Sequence, residues 1–361
     1  MKTPHIMMMA AGTGGHVFPA LAVAEELTQR GAVIHWLGTP NGMENDLVKP
    51  AGYDFHPIAM QGLRGKGITR LAKLPFTLLS ATMATVKIIR SNRIDMVVGF
   101  GGYVTAPGGI AARMTNTPLI IHEQNAIAGM SNRYLAKIAT KVLQAFEHTF
   151  ADSTQNAKLE SVGNPVRNAI SGVAEPIKRY DISDRSPLKL LVVGGSLGAQ
   201  VLNDTVPKAL SLIDRPFEVQ HQCGRNNEQA TKTAYDSEDL SAHKFTVQPF
   251  IDDMAAAYNW ADIIVCRAGA LTVTEIQNVG IAAIFVPLPH AVDDHQTANA
   301  RTLTSHDAAI LLPQSELTAQ RLSDELAALD RHTCLEMAKK GHALANRSAT
   351  SQVADIIWQA L

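Results

Sequence analysis

The chain has 361 residues, which suits two domains of about 150 residues each, and its 46% hydrophobic content lets each half bury a core, unlike a disordered chain. A net charge of −1 excludes a global field for nucleic acid, so any anion must be recognised locally. Three cysteines, Cys223, Cys266 and Cys334, are widely spaced and odd in number, which excludes a disulfide framework or a cysteine metal site and suits a reducing cytosol; no run of about 18 apolar residues is present to span a bilayer, and the short run after Pro4 is no signal peptide.

In chain order, Ile6–Ala11 reads as a buried strand that enters a tight turn at Gly12-Thr13-Gly14-Gly15-His16 and then a helix over Pro19–Arg30. Further strands are expected at Ala32–Leu37, Asp54–Ile58, Met96–Gly99, Leu119–His122 and Lys141–Gln144, with helices at Leu71–Ser91 and Ala128–Ala139. A boundary is expected between Gly163-Asn164-Pro165 and the polar stretch Glu175–Pro187. The pattern then restarts. Leu188–Val193 runs into Gly194-Gly195-Ser196-Leu197-Gly198-Ala199, and strands follow at Phe217–Cys223, Phe245–Phe250, Ile263–Cys266, Ala283–Val286 and Ala309–Leu312. From Leu317 to Leu361 the character is helical. Near-continuous apolar strands alternating with helices predict an α/β protein with parallel sheets covered on both faces. Paired glycine turns half a chain apart suggest two facing nucleotide-type domains with a cleft between them.

Ligands of open α/β sheets sit beyond the carboxyl ends of the strands, and the polar residues of interest lie there. Gly12–Gly15 fits either a phosphate cradle or a plain strand-to-helix turn. A nicotinamide enzyme is disfavoured, because neither Leu37-Gly38-Thr39 nor Gln222-Cys223-Gly224 carries the acid that binds the ribose. His16 fits a proton acceptor or a helix-start residue bonding backbone or phosphate. After Ile263–Cys266, the stretch Gly269-Ala270-Leu271-Thr272-Val273-Thr274-Glu275 fits an anion-binding helix start with Glu275 on a ribose; Thr272 and Glu275 also have capping-box spacing. In Pro287–Gln296, the residues Asp293, Asp294, His295 and Gln296 fit recognition of sugar hydroxyls, a metal site shared with His290, or a helix cap. Arg64, Lys66, Arg70 and Lys73 beside Leu71, Leu74, Phe76, Leu78 and Leu79 fit an anionic membrane surface or an amphipathic helix packed on its sheet.

Together the segments GTGGHVFPALAVA (12–24), LRGKGI (63–68), GFGGYVTAPGG (99–109), HEQNAIAG (122–129), GNPVR (163–167), VVGGSLGA (192–199), FIDDMAAAY (250–258), CRAGALTVTE (266–275) and HAVDDHQTANA (290–300) resemble the MurG family of peptidoglycan glycosyltransferases, in order and over almost the full length. One departure is Leu197, where some members carry glutamine. The resemblance implies two Rossmann-like doubly wound domains of the glycosyltransferase B type. Residues 1–164 would face acceptor and membrane, residues 165–344 would hold the donor, and a terminal helix at about 345–361 would pack back on the first domain. It implies transfer of N-acetylglucosamine, with inversion, from UDP-N-acetylglucosamine to the 4-hydroxyl of an undecaprenyl-linked muramyl-pentapeptide. Donor contacts carried over are Thr13, Gly14, Gly15, Asn125, Arg167, Ser196, Ile251, Ala270, Leu271, Thr272, Val273, Thr274, Glu275 and Gln296. Within that set Ile251 would read uracil through its backbone, Glu275 would take the ribose, and Gln296 and Asn125 would take the sugar. Ser196 and the helix start at Ala270–Thr272 would take the diphosphate. His16 becomes the candidate base, with binding of the acceptor diphosphate as its rival role. No cofactor or metal and no nucleic acid is implied. The patch of Arg64, Lys66, Arg70, Leu71, Lys73, Leu74, Phe76 and Leu79 would dock the cytoplasmic face of the inner membrane, where other cell-wall or division proteins are further expected partners. The alternatives are a UDP-sugar 2-epimerase of the same architecture and a non-catalytic UDP-sugar sensor.

Overall fold

The computed structural model describes residues 3–60, 68–150, 158–195, 197–289 and 294–361, with the backbone alone for 68–73. Two compact units are present, Met1–Arg167 with Asn346–Leu361, and Asn168–Ala345.

The first unit carries strands β1 (His5–Ala10), β2 (Val33–Gly38), β3 (Asp54–Pro57), β4 (Met96–Gly101), β5 (Leu119–Glu123), β6 (Lys141–Gln144) and β7 (Leu159–Ser161). Its helices are α1 (Gly14–Gln29), α2 (Glu44–Val48), α3 (Ile68–Ser91), α4 (Thr105–Thr115) and α5 (Met130–Leu135), joined by a terminal helix reached last in the chain. The sheet is parallel throughout, in the order β3-β2-β1-β4-β5-β6-β7. Side chains alternate across a strand, and β1 shows what that requires of a sheet covered twice. Ile6, Met8 and Ala10 enter one core with Val17, Val23 and Leu27 of α1. Met7 and Met9 enter another with Val86 and Ile89 of α3 and Ala111 and Ala112 of α4. Both faces being buried, the strand reads HIMMMA without polar alternation.

The second unit has helices α6 (Asn168–Ser171), α7 (Pro176–Arg179), α8 (Gln200–Leu210), α9 (Glu228–Asp236), α10 (Met254–Trp260), α11 (Ala270–Val279), α12 (His295–Thr304), α13 (Ala319–Ala328) and α14 (Arg331–Ala343). Its strands are β8 (Leu188–Val193), β9 (Phe217–Gln222), β10 (Lys244–Gln248), β11 (Ile263–Cys266), β12 (Ala282–Phe285) and β13 (Ile310–Leu311). They pair in parallel as β10-β9-β8-β11-β12-β13. The chain then returns to the first unit as α15 (Ala349–Gln359), which lays Val353, Ala354 and Ile357 into the core beside α1. In each sheet the winding direction reverses once, between β1 and β4 and between β8 and β11. Loops leaving the carboxyl ends of those neighbours diverge and open a crevice.

Three elements differ from expectation. Helix α1 begins at Gly14 rather than at Pro19, so Gly14–His16, expected within the turn, form its first turn and Pro19 lies inside the helix. The edge strand β7 is only Leu-Glu-Ser, too short and polar to register as an apolar run. The helix expected over Ala128–Ala139 regularises only over Met130–Leu135. Gly129 is extended at its start, and the chain beyond Leu135 tightens through Lys137 N–H to Tyr134 O (3.2 Å) and Ile138 N–H to Leu135 O (3.0 Å).

Candidate functional site

In the first unit the crevice is built by the ends of β1, β4 and β5. Gly12 (φ +93°) turns the chain out of β1, and α1 starts at Gly14 with Thr13 extended at its cap and no side-chain cap bond. No acidic residue lies in that first turn, so the Gly14 and Gly15 amides head a helix suited to an anion. The Gly12 amide is already used. It donates to Glu44 Oε2 (3.2 Å), while Glu44 Oε1 accepts from Thr39 N and Thr39 Oγ1, both at 2.7 Å. The turn after β1 is therefore fastened by a fully buried carboxylate.

His16, half-buried on the first turn of α1, points Nδ1 at Gln124 Oε1 (3.1 Å). Its ring lies against Gly101 (φ +109°), where an added Cβ would stand 2.6 Å from Nδ1. Gln124 Nε2 reaches His122 Nδ1 and His122 O, each at 3.1 Å, and His122 Nε2 reaches Gly163 O at 2.9 Å. His122 stacks on Phe100 with centroids 5.3 Å apart, and its complete burial pushes its pKa down to about 4. Next to it, buried Glu123 accepts from Asn125 N and Asn125 Nδ2 (3.0 Å each), Gly129 N (2.9 Å) and Asn132 Nδ2 (2.8 Å). Asn125 is thus held through its amide nitrogen. Arg167, expected at the start of the second domain, clusters with the first unit. Its guanidinium lies 4.6 Å from the Phe18 ring centroid on α1, and neighbouring Val166 pairs with Thr350 Oγ1.

In the second unit Gly195 (φ +88°) and Gly198 (φ +79°) shape the turn after β8. A Cβ on Gly198 would fall 2.0 Å from Cys223 O, so only glycine permits this approach to the end of β9. Gln222, standing where a dinucleotide enzyme places its acid, donates to Gly195 O (2.8 Å) and Pro249 O (3.3 Å) and so ties this turn to the neighbouring loop. Leu197 is 83% exposed.

The helix α11 starts at Ala270 behind an extended Gly269, with neither side-chain cap nor acid in its first turn. The capping-box alternative therefore fails: Thr272 lies inside the helix. Glu275 is buried one turn further on and accepts from Tyr258 Oη at 3.0 Å. Ala270, Val273 and Thr274 are buried and Leu271 and Thr272 half-buried, so this segment offers its amides more than its side chains. Gln296 Oε1 accepts from Ala268 N (3.3 Å) and Leu288 N (2.9 Å), and buried Asn299 donates to Ala268 O (3.2 Å). The peptide that launches α11 is therefore gripped on both sides from α12. Arg267 donates to Val286 O (3.0 Å) and Pro287 O (3.1 Å), and burial lowers its pKa. Ile251 is buried beside Asp253, which caps α10 through Ala256 N–H (2.9 Å). Asp294 stands at the start of α12 with φ +52° and no side-chain cap bond.

Ser196, Arg64, Lys66, His290 and Asp293 lie outside the described residues, as do the side chains of Arg70, Leu71 and Lys73. On α3, Leu74 is half-buried, whereas Phe76 (76%), Leu79 (59%) and Met83 (50%) are exposed and share one helix face. Among the described residues no His, Cys, Asp and Glu side chains converge as metal ligands, and no helix is long and apolar enough to cross a membrane.

The sequence does not single out Glu44, Glu123, Gln124, Tyr258 or Asn299. Each acts through partners brought close by the fold. Only the HEQN run, with three carbonyl-type acceptors at a strand end, carried a local signal.

Comparison with known proteins accounts for this layout. Residues 6–144 match the glycosyltransferase family 28 N-terminal domain and residues 189–358 its C-terminal domain. The UDP-N-acetylglucosamine--N-acetylmuramyl-(pentapeptide) pyrophosphoryl-undecaprenol N-acetylglucosamine transferase of Psychrobacter arcticus is 84% identical over 361 residues, the whole of both chains. The enzyme of the same name from Acinetobacter baylyi is 49% identical over 360 residues, covering 99% of this chain and 98% of its own. The crystal structure of Acinetobacter baumannii MurG superposes with a TM-score of 0.84 at 44% identity, covering 99% of each chain. With both domains matched and the identity running end to end, the chain belongs to glycosyltransferase family 28 and, within it, to the MurG family.

Proposed function

We propose that this protein transfers N-acetylglucosamine from UDP-N-acetylglucosamine to the lipid-linked muramyl-pentapeptide, completing the disaccharide lipid precursor of peptidoglycan. The observation that carries the reading is the 84% identity to the Psychrobacter arcticus transferase over the entire chain, since it spans the strand-end loops of both units. In the reaction the acceptor 4-hydroxyl oxygen bonds to the anomeric carbon as the bond from that carbon to the phosphate oxygen breaks. UDP leaves with the electron pair, and the hydroxyl proton passes to a base. Attack opposite the leaving group inverts the anomeric centre.

The second unit is assigned the donor. The amides at Ala270–Thr272 and the turn at Gly195–Gly198, with Ser196, stabilise the diphosphate as negative charge grows. Leu271, Val273 and Thr274 complete that helix start. Glu275 accepts from the ribose hydroxyls, and the Ile251 backbone reads uracil. Gln296, its oxygen spent on two backbone amides, meets the sugar as a donor through its NH2. From the first unit, Asn125 is assigned to the N-acetylglucosamine, Arg167 to the leaving group, Thr13, Gly14 and Gly15 to phosphate, and His16 to the acceptor hydroxyl. The exposed stripe on α3, with the basic residues Arg64, Lys66, Arg70 and Lys73, is assigned to the cytoplasmic membrane surface, where a peripheral enzyme meets a lipid substrate.

UDP release measured with and without the muramyl-pentapeptide lipid tests the reading. Release that requires the acceptor supports transfer. Epimer formation from UDP-N-acetylglucosamine alone, or tight binding with no turnover, overturns it.

A further inference from the structure

We infer that Gln124 is a positioning residue that locks His16 in the Nδ1–H tautomer, so that the proton-accepting lone pair sits on Nε2; the inference rests on the reading of His16 as the base. Main-chain carbonyls fix every proton in the series. A carbonyl only accepts, so His122 Nε2, 2.9 Å from Gly163 O, carries the hydrogen. Fully buried and neutral, His122 has one N–H, which leaves Nδ1 as an acceptor. Gln124 Nε2 lies 3.1 Å from that Nδ1 and 3.1 Å from His122 O, two acceptors, so the amide nitrogen faces them. The amide oxygen must then be the atom 3.1 Å from His16 Nδ1, and an amide oxygen cannot donate. His16 Nδ1 therefore donates, and a neutral imidazole with its hydrogen on Nδ1 has its lone pair on Nε2.

Independent contacts hold this arrangement still. Asn164 Nδ2 donates to Gln124 O (3.0 Å), and the His16 ring rests against the bare Cα of Gly101. The choice of an amide has a chemical consequence. A carboxylate at this position would also select the tautomer, but it would favour the imidazolium before the hydroxyl arrives. The neutral amide orients the base without protonating it. When the acceptor O–H breaks, its proton goes to the Nε2 lone pair, the oxygen pair forms the new glycosidic bond, and the old bond pair departs with UDP.

The test is 15N spectroscopy of the full-length, histidine-labelled enzyme at about pH 8, where an ordinary imidazole is neutral, with His16 assigned through His16→Gln. Expected in the unmutated protein is a protonated Nδ1 and a pyridine-type Nε2 on His16; the reverse pattern overturns the proposal. Gln124→Met removes the acceptor. It should mix the tautomers and remove much of the roughly 10²–10⁴-fold that a positioned base supplies, with UDP affinity unchanged. Gln124→Glu, ionised, keeps an acceptor for His16 but cannot donate to His122; it should preserve the tautomer, shift the rise of turnover to higher pH by favouring the imidazolium, and on the alkaline plateau retain more turnover than the methionine variant. Equal failure of both variants would mean that Gln124 merely supports the loop, and the proposal falls. If the tautomer is as stated but His16→Ala turns over normally, the reading of His16 as the base falls and the tautomer assignment stands.

Discussion

Gly101 and the His16 imidazole occupy space that a single methyl group would contest. A Cβ at Gly101 would lie 2.6 Å from His16 Nδ1 and 2.7 Å from Cε1, and the backbone there sits at φ +109°. Gly101→Ala is therefore expected to push the ring off Gln124, and a displacement near 1 Å at a reacting group costs about 10²-fold in turnover. Steady-state kinetics beside UDP titration checks this; an alanine variant with normal kcat would show that His16 placement is immaterial. In the second unit Tyr258→Phe removes the hydroxyl that donates to the buried Glu275 carboxylate. The expected loss is roughly 0.5–1.5 kcal/mol of stability, the net range for an intramolecular hydrogen bond, read from the urea midpoint. An unmoved midpoint would mean that this contact contributes nothing. The motif glycines and His16 stand out in the sequence because tight turns and helix starts leave local composition signals. Glu44 does not, because its partner Gly12 is 32 residues away and only the parallel pairing of β1 with β2 brings them together.

At the scale of elements, the doubly wound fold was legible because strands buried on both faces must be apolar at every position, as Ile263–Cys266 and Ala282–Phe285 are. Legibility failed where pairing, not burial, defines the element, as in β7, whose Leu159 and Glu160 are only half-buried. At α11 the sequence left two starts open, a capping box at Thr272 and a glycine start, and the structure has the glycine start at Gly269. Helix α3 shows amphipathicity of an unusual kind. Its inner face supplies Val86 and Ile89 to the core, while Phe76, Leu79 and Met83 stay in water. Replacing these three by serine removes side chains worth roughly 1.5–3 kcal/mol each when fully buried. The variant is expected to bind anionic vesicles at least about ten-fold more weakly with an unchanged melting temperature, as vesicle sedimentation and thermal unfolding would report. Undiminished binding would return the stripe to an ordinary solvent-exposed face.

At the scale of the whole molecule, each unit encloses a histidine that must stay neutral. In the first unit burial holds His122 down at about 4, and His35 and His56, stacked 5.4 Å apart, are also lowered, burial being the largest cause. In the second, His221 is held at about 3 by burial, between Tyr235 Oη and Asn203 Oδ1 at 3.0 Å each. An unfolded histidine titrates near 6.5, so below that pH the unfolded chain binds protons that the folded one refuses. Stability is thus complete above about 6.5 and declines as pH falls towards the folded values. At about 1.4 kcal/mol per pH unit, His122 and His221 each remove roughly 2 kcal/mol by pH 5, before most carboxylates are protonated. His35 and His56 add to the loss in the first unit, against His243 alone in the second, which burial also lowers, so the first unit is expected to be the first to open in acid. Hydrogen exchange followed from pH 7.5 to about 5 resolves the two sheets separately. Faster loss of protection in β1 and β2 than in β8 and β9 is the expected order, and His221→Asn should reduce the response of the second sheet only, leaving the part due to His243. A pH-independent exchange pattern, or prior opening of the second sheet, would contradict the assignment of acid sensitivity to these buried rings.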